Sequence, residues 1–314
     1  MHFLKLLRPL NLLIIGLTMY GAHFFILKWN ENQPIQSNGL DFFLLVFSTM
    51  IIAAGGNIIN DYFDVKADRI NKPEKLIITK HIKRRWAILL HWIFNAVGFF
   101  IAIYLSTKYD TLWYVLIHLF SINILWFYSM YFKRKVLIGN LLIAVLTALV
   151  PILVMIFFKT SNHTITGFSE FHPETWSVTI DFSIIYLLTF FAFTQNFSRE
   201  IIKDAQDIEG DQLIYVKSLP MVIGVKKSLY VSSLFLMLLP ICVILYLTTD
   251  LFDFLDGFNK WKVVIPFVIS CLFNFTVIFM IFVDQTPKLK RYGILVKLSM
   301  LFGIVSTYYL SLLA

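Results

Sequence analysis

The chain has 314 residues, 58% of them apolar and only 15% charged, with a mean hydropathy of +0.75. A soluble domain carries roughly a quarter charged residues, so composition excludes one and indicates a polytopic membrane protein. The formal net charge of +8 is accounted for by the placement of Lys and Arg in the connections, and no nucleic-acid partner is needed to explain it.

Nine apolar stretches are predicted to cross the bilayer, at 8–27, 41–59, 86–105, 112–132, 137–158, 181–198, 228–249, 262–283 and 293–313. Each is near the ~20 residues that span a hydrocarbon core. The expected fold is an all-α polytopic membrane bundle of about nine transmembrane helices. It is read as one integral membrane domain over 1–314, since no connection is long enough to fold alone. The first span carries Arg8, Pro9 and Asn11, has no clear small-residue cleavage site, and reads as a retained anchor.

The second span runs into Asn57, Asn60, Asp61, Asp64 and Asp68, and eight basic residues follow between Lys66 and Arg85. Spacings of three and four place Asp61, Asp64 and Asp68 on one helical face. Like charges stacked this way repel, and beside a bilayer they are costly unless a cation holds them. Lys133, Arg134 and Lys135 follow the fourth span, and Gly139-Asn140 opens the fifth. Beyond the sixth span the pattern recurs as Glu200, Asp204, Asp207 and Asp211, with Arg199 and Lys203 interleaved. Pairing Asn57 with Glu200 brings both segments to the same 4, 3, 4 spacing, four spans apart.

With the N-terminus inside, 21 Lys/Arg fall on the cytoplasmic side and five outside, while Lys297 lies within the last span. The positive-inside rule therefore puts both acidic ladders in the cytoplasm. Cys242 and Cys271 sit in predicted spans, so no disulfide framework is expected. No histidine pair has metal-ligand spacing, and there is no P-loop or nucleophile triad.

Two facing carboxylate clusters suit Mg²⁺, which prefers oxygen ligands and is commonly shared with substrate phosphates. Lys75, Lys133, Arg134, Arg199 and Lys203 are available to neutralise a departing diphosphate. Asn140 is a further candidate to line the pocket. A divalent-cation transporter is the distant alternative. Transporter sites usually lie at the bilayer midplane on broken helices, whereas these ladders sit at one membrane edge.

The segment Asn60-Asp61-Tyr62-Phe63-Asp64-Val65-Lys66-Ala67-Asp68 resembles the first aspartate motif, NxxxDxxxD, of the UbiA superfamily of intramembrane prenyltransferases. Lys203, Asp207 and Asp211 resemble its second, KxxxDxxxD, and Arg8-Pro9 with Asn11 is a weaker mark. The wording Arg199-Glu200-Ile201-Ile202-Lys203-Asp204 through Asp207-Ile208-Glu209-Gly210-Asp211 is most similar to the branch of digeranylgeranylglyceryl phosphate synthases. The resemblance implies Mg²⁺-dependent transfer of a polyprenyl group from its diphosphate to a lipid acceptor, with an aromatic acceptor as the alternative. It implies Asn60, Asp64, Asp68, Asp207 and Asp211 as metal ligands and Lys203 on the diphosphate. Asp64, Asp68, Asp207, Asp211 and Lys203 form the expected catalytic set; Asn57, Asp61, Lys75, Lys133, Arg134, Asn140, Arg199 and Asp204 are expected to bind substrate, with Asp61 and Asp204 bracing or binding metal. Where many relatives carry Arg-Pro-Leu-Pro-Ser-Gly after the first motif, this chain has Lys75 through Lys80, which keeps charge but loses a bidentate Arg fork.

Overall fold

The computed structural model describes residues 2–31, 35–162, 180, 182–213, 215–248 and 260–313. Among these the regular structure is helical, and pairing of the β type is confined to one isolated bridge between Ile78 and Ile82. The helices are α1 His2–Leu7, α2 Pro9–Trp29, α3 Gly39–Asn71, α4 Arg84–Lys108, α5 Trp113–Met130, α6 Ile138–Ser161 and α7 Ser183–Gln206. They continue with α8 Ile208–Gln212, α9 Leu219–Ile223, α10 Val225–Thr248, α11 Lys260–Val283 and α12 Leu289–Leu313.

Eight of the described helices are long and apolar enough to cross a membrane. The sixth predicted span corresponds to α7, which falls outside that set although it has 24 residues. Its last two turns carry Arg199, Glu200, Lys203 and Asp204, and these charges lower its mean apolarity. It is packed on α6, α10 and α12, so protein, rather than lipid, surrounds much of it.

The helices close into a ring. Neighbours in sequence pack from α2 through α7, α7 meets α10, α10 meets α11, α11 meets α12, and α12 returns to α2. Polar contacts lock several of these seams, as expected where lipid supplies no hydrophobic drive between helices. Ser198 and Ser232 each donate to the other's carbonyl at 3.0 and 3.1 Å, joining α7 to α10. Ser270 and Ser299 repeat the arrangement at 2.9 and 3.1 Å between α11 and α12.

The element that positions the site is α3. Asn38 caps it by accepting from the amides of Leu40 and Asp41. Its 33 residues rise about 50 Å at 1.5 Å each, well beyond a hydrocarbon core of ~30 Å. At the end near Gly39, fully buried Asp41 takes Lys108 at 2.7 Å and the Tyr109 hydroxyl at 2.7 Å, tying α3 to α4. At the other end the helix overruns the bundle by several turns, and that overrun carries the first acidic ladder.

Candidate active site

The carboxylates of the α3 ladder share a helix but not a partner. Arg8 sits between α1 and α2 in the left-handed region (φ 55°), and its guanidinium donates to Asp61 at 2.5 Å. Asn57, one turn earlier, donates to the Leu7 carbonyl at 3.0 Å and so fixes that entry. Asp64 is buried, accepts from Asn60 at 2.9 Å, and takes Lys133 at 2.5 Å. Lys133 comes from the 3-10 turn Phe132–Arg134 between α5 and α6. Gly139 lets that turn lie close: a Cβ there would sit 3.2 Å from the Lys133 Cα and from the Phe132 carbonyl.

The second ladder departs from the expected single face. α7 ends at Gln206, Asp207 is the break (φ −104°, ψ 7°), and α8 starts at Ile208. The spacing of 204, 207 and 211 therefore does not stack three carboxylates along one helix. Asp204 turns to α6, where Asn140 donates to it at 2.8 Å. Asp207 takes Lys72 at 2.6 Å, and Asp211 is almost fully buried. Lys203 pairs with Glu200 at 3.1 Å, and Arg199 shares that carboxylate at 2.6 Å.

What brings the ladders together is the C-terminal end of α3. Asn71 donates to the Asp207 carbonyl at 2.8 Å and accepts from the Gly210 amide at 2.8 Å. With Lys72 on the Asp207 carboxylate, two consecutive residues clamp the α7–α8 break. The clamp needs Gly210, because a Cβ there would come within 2.5 Å of the Ala67 carbonyl. The result is electrostatic convergence. Burial pushes the Asp211 carboxyl above the usual range; Lys133 opposes this, and Asp64 and Asp207 reinforce it. Burial opposes charge on Lys133, yet Asp64, Tyr128 and Asp211 hold its ammonium above the usual lysine range. Lys133 is thus the cation between the two ladders. Burial likewise works against the Glu200 carboxylate, but Lys203 and Arg199 bring it down to about 2.

An apolar cavity opens beside these groups. Arg8, Asn57, Asn60, Arg199, Glu200 and Lys203 line its polar end, and Ile15, Ile52, Leu125, Ile143, Val150 and Leu153 line part of its body. Asn196 lines it too, bonded to the Thr147 hydroxyl at 2.6 Å. Burial, with Asp64 and Asp61 on its own helix, raises the Asp68 carboxyl to about 6, and Lys133 and Lys72 oppose this. Of the residues expected to bind substrate, Asp61, Lys133, Arg134, Asn140 and Asp204 do not line the cavity. Arg134 is exposed, outside the cavity lining, and its carbonyl accepts from the Lys217 amide at 3.3 Å. Asn140 and Asp204 bond each other and do not line the cavity. The Lys75 side chain lies outside the described residues. Sequence reading passed over Asn71, Lys72 and Tyr128. Asn71 and Lys72 do end the first motif's helix, which was a usable signal.

Among the described residues, no three His, Cys, Asp or Glu side chains are close enough to cage an ion alone. The donor set nonetheless fits a hard divalent cation shared with a diphosphate, which requires only one or two carboxylates from the protein. Buried Asp207 Oδ1 is without a hydrogen-bond partner, and Asp64 and Asp207 each repel Asp211.

The sequence profile described as the UbiA prenyltransferase family matches residues 17–301. A digeranylgeranylglyceryl phosphate synthase of Pyrococcus furiosus is 29% identical over 237 residues, covering 74% of this chain and 73% of that protein. The synthase of the same name from Methanosarcina mazei is 33% identical over 207 residues, 66% and 62% of the two chains. Among solved structures, a digeranylgeranylglyceryl phosphate synthase in membranes aligns over 100% of this chain and 98% of its own, with a TM-score of 0.66 at 21% identity. A UbiA homolog from Archaeoglobus fulgidus bound to DMAPP and Mg²⁺ aligns over 98% and 99%, with a TM-score of 0.54 at 20% identity. At these identities the structural likeness concerns the fold.

Proposed function

The chain belongs to the UbiA prenyltransferase family, and from that premise we propose that it transfers a geranylgeranyl group from its diphosphate to the free hydroxyl of a prenylglyceryl phosphate. The whole chain serves this as one catalytic unit in the bilayer. The observation that carries the reading is the clamp. Asn71 and Lys72 hold the α7–α8 break against α3 so that Asp211 faces Asp64 and Lys133, beside an apolar cavity whose polar lining includes Lys203 and Asn60, the hydrogen-bond donor to Asp64. The synthase names of the relatives support the acceptor.

In this mechanism the prenyl tail lies in the cavity body and the diphosphate at the ladders. Asn60, Asp64, Asp68, Asp207 and Asp211 would hold Mg²⁺, which when bound supplies Lewis-acid polarisation of the diphosphate oxygens. Lys133 and Lys203 offset the charge that grows on the leaving group, an effect strengthened by their burial. The apolar wall excludes water from the allylic cation after the C1–O bond breaks. The acceptor hydroxyl then forms the ether bond, and its proton passes to a ladder carboxylate or to the departing diphosphate. Asp61, held by Arg8, and Asp204, held by Asn140, brace the two helices that carry the ladders. The 21-to-five distribution of basic residues supports a cytoplasmic N-terminus and a cytoplasmic active site.

The test is product analysis with purified protein in detergent, geranylgeranyl diphosphate and Mg²⁺. Geranylgeranylglyceryl phosphate, 4-hydroxybenzoate and 1,4-dihydroxy-2-naphthoate would compete as acceptors, with mass spectrometry of the products. A diether phosphate is expected. A prenylated aromatic as the main product would overturn the acceptor assignment.

A further inference from the structure

The cavity ends inside the bundle, at the side away from the ladders. Three contacts set the register of the parallel helices α3 and α5. Asp64 meets Lys133 at the polar end, Gly56 lies against the Leu125 side chain midway, and Ser48 meets His118 at 2.9 Å at the far end. The lining continues to Thr49 on α3, Ile117 and His118 on α5, and Leu153 on α6. Within one further turn, Met19, Leu45, Val46, Tyr114, Val154 and Phe157 are buried in one apolar cluster, and none of them lines the cavity. The Tyr114 hydroxyl is bonded to the Thr160 hydroxyl at 2.6 Å, which fixes that layer to α6.

His118 is a buried imidazole placed where a hydrocarbon tail would finish, and Ser48 holds it there. The Ser48 hydroxyl donates to the Leu45 carbonyl at 2.9 Å, so toward His118 it can only accept, and Nε2 carries the proton. An apolar side chain at this position could change rotamer to admit a longer chain. The bonded imidazole can move only by giving up a buried hydrogen bond that an isoprenoid cannot replace.

The lengths agree. From Asn60, on the polar lining, to Ser48 is twelve residues of α3, a rise of about 18 Å. An extended chain advances about 1.2 Å per bond, so an isoprene unit of four main-chain carbons takes about 4.7 Å and four units take about 19 Å. A fifth unit would need about 23 Å.

We propose that His118, anchored by Ser48, is the floor of the donor cavity and limits the transferred chain to four isoprene units. This rests on the donor reading above, in which the tail fills the cavity body, and adds the residue that sets its length.

The experiment compares wild type, H118A and H118L on farnesyl, geranylgeranyl and geranylfarnesyl diphosphates, three, four and five units long. Mg²⁺ is present, with geranylgeranylglyceryl phosphate as acceptor, or the aromatic acceptor if that is the one wild type prenylates. In wild type, kcat/KM should fall about tenfold or more from the four-unit to the five-unit donor, as for a pocket too short for part of its substrate. H118A opens the floor and should raise the five-to-four ratio about tenfold. H118L keeps bulk but loses the anchor, so the ratio should rise in the same direction by less. Neither variant strands the Ser48 hydroxyl, which keeps the Leu45 carbonyl. A purely structural role for His118 would lower all three donors alike. An unmoved ratio in H118A, or in H118L should H118A not fold, would therefore overturn the inference and leave the geranylgeranyl reading standing. So would a wild type that takes the five-unit donor as readily as the four-unit one. A wild type that transfers no geranylgeranyl group to any of these acceptors would overturn that reading, and this inference with it.

Discussion

Replacing Gly210 by Ala tests the clamp with a single methyl group. The added Cβ would come within 2.5 Å of the Ala67 carbonyl oxygen and of Asn71 Nδ2. Neither helix can accommodate it in place, so α8 must move away from α3. The movement endangers both 2.8 Å hydrogen bonds of Asn71, worth about 1 kcal/mol each, and adds an overpacking cost of about 1–3 kcal/mol. Without a clash, Gly→Ala at a compatible position stabilises by about 0.4–1 kcal/mol, so the two accounts predict opposite signs. Displacing reacting groups by an ångström costs roughly a hundredfold in rate. We expect G210A to lower the melting temperature in detergent and to cut kcat/KM by about that factor, with helical content by circular dichroism unchanged. Gly39, where an added Cβ meets nothing within 4 Å, is the matched control. A G210A enzyme as stable and as active as wild type would refute the clamp as the device that aligns the ladders.

Asp64→Asn and Asp207→Asn should each abolish turnover, a loss of about a thousandfold or more, while size-exclusion profiles stay monodisperse; near-normal rates in saturating Mg²⁺ would sink the two-ladder mechanism. Lys133→Met strands the buried Asp64 carboxylate and should cost about 3–5 kcal/mol. The double variant D64N/K133M should regain most of that stability without activity, and calorimetry beside a turnover assay separates the two. Burial raises the Asp204 carboxyl to about 7, with Asn140 opposing and Glu200 reinforcing. The folded protein keeps that proton where the unfolded chain, with its ordinary value of 3.8, has lost it. This contribution is therefore full below the unfolded value and is lost as pH rises toward 7. D204N should flatten the fall of melting temperature between about pH 4 and 7; an unchanged slope would exclude Asp204 as its source.

Particular residues show where the sequence was sufficient. The α3 overrun was legible because a run of apolar residues to Ile59 is followed by charges at helical spacing, and a helix needs no remote partner to satisfy its own backbone. The second ladder shared that spacing, yet its helix breaks at Asp207. The break is held by Asn71, 136 positions away, a partner that no local pattern announces. Likewise Lys72 ion-pairs with Asp207, 135 positions away, and Lys203 with Glu200. Ion pairs follow whichever charges the helix packing brings near, not proximity along the chain.

By itself the sequence determined the membrane class, the helix periods and the motifs that mark the family. These depend on transfer free energy and local spacing, which each segment carries within itself. Tertiary structure alone decided which carboxylate meets which cation, and that Lys133 lies between the ladders. It also decided that Lys297 faces the cavity. Those outcomes depend on the angle and register at which helices distant in sequence pack. That geometry is set by the summed contacts of a whole ring of helices, and no single segment encodes it.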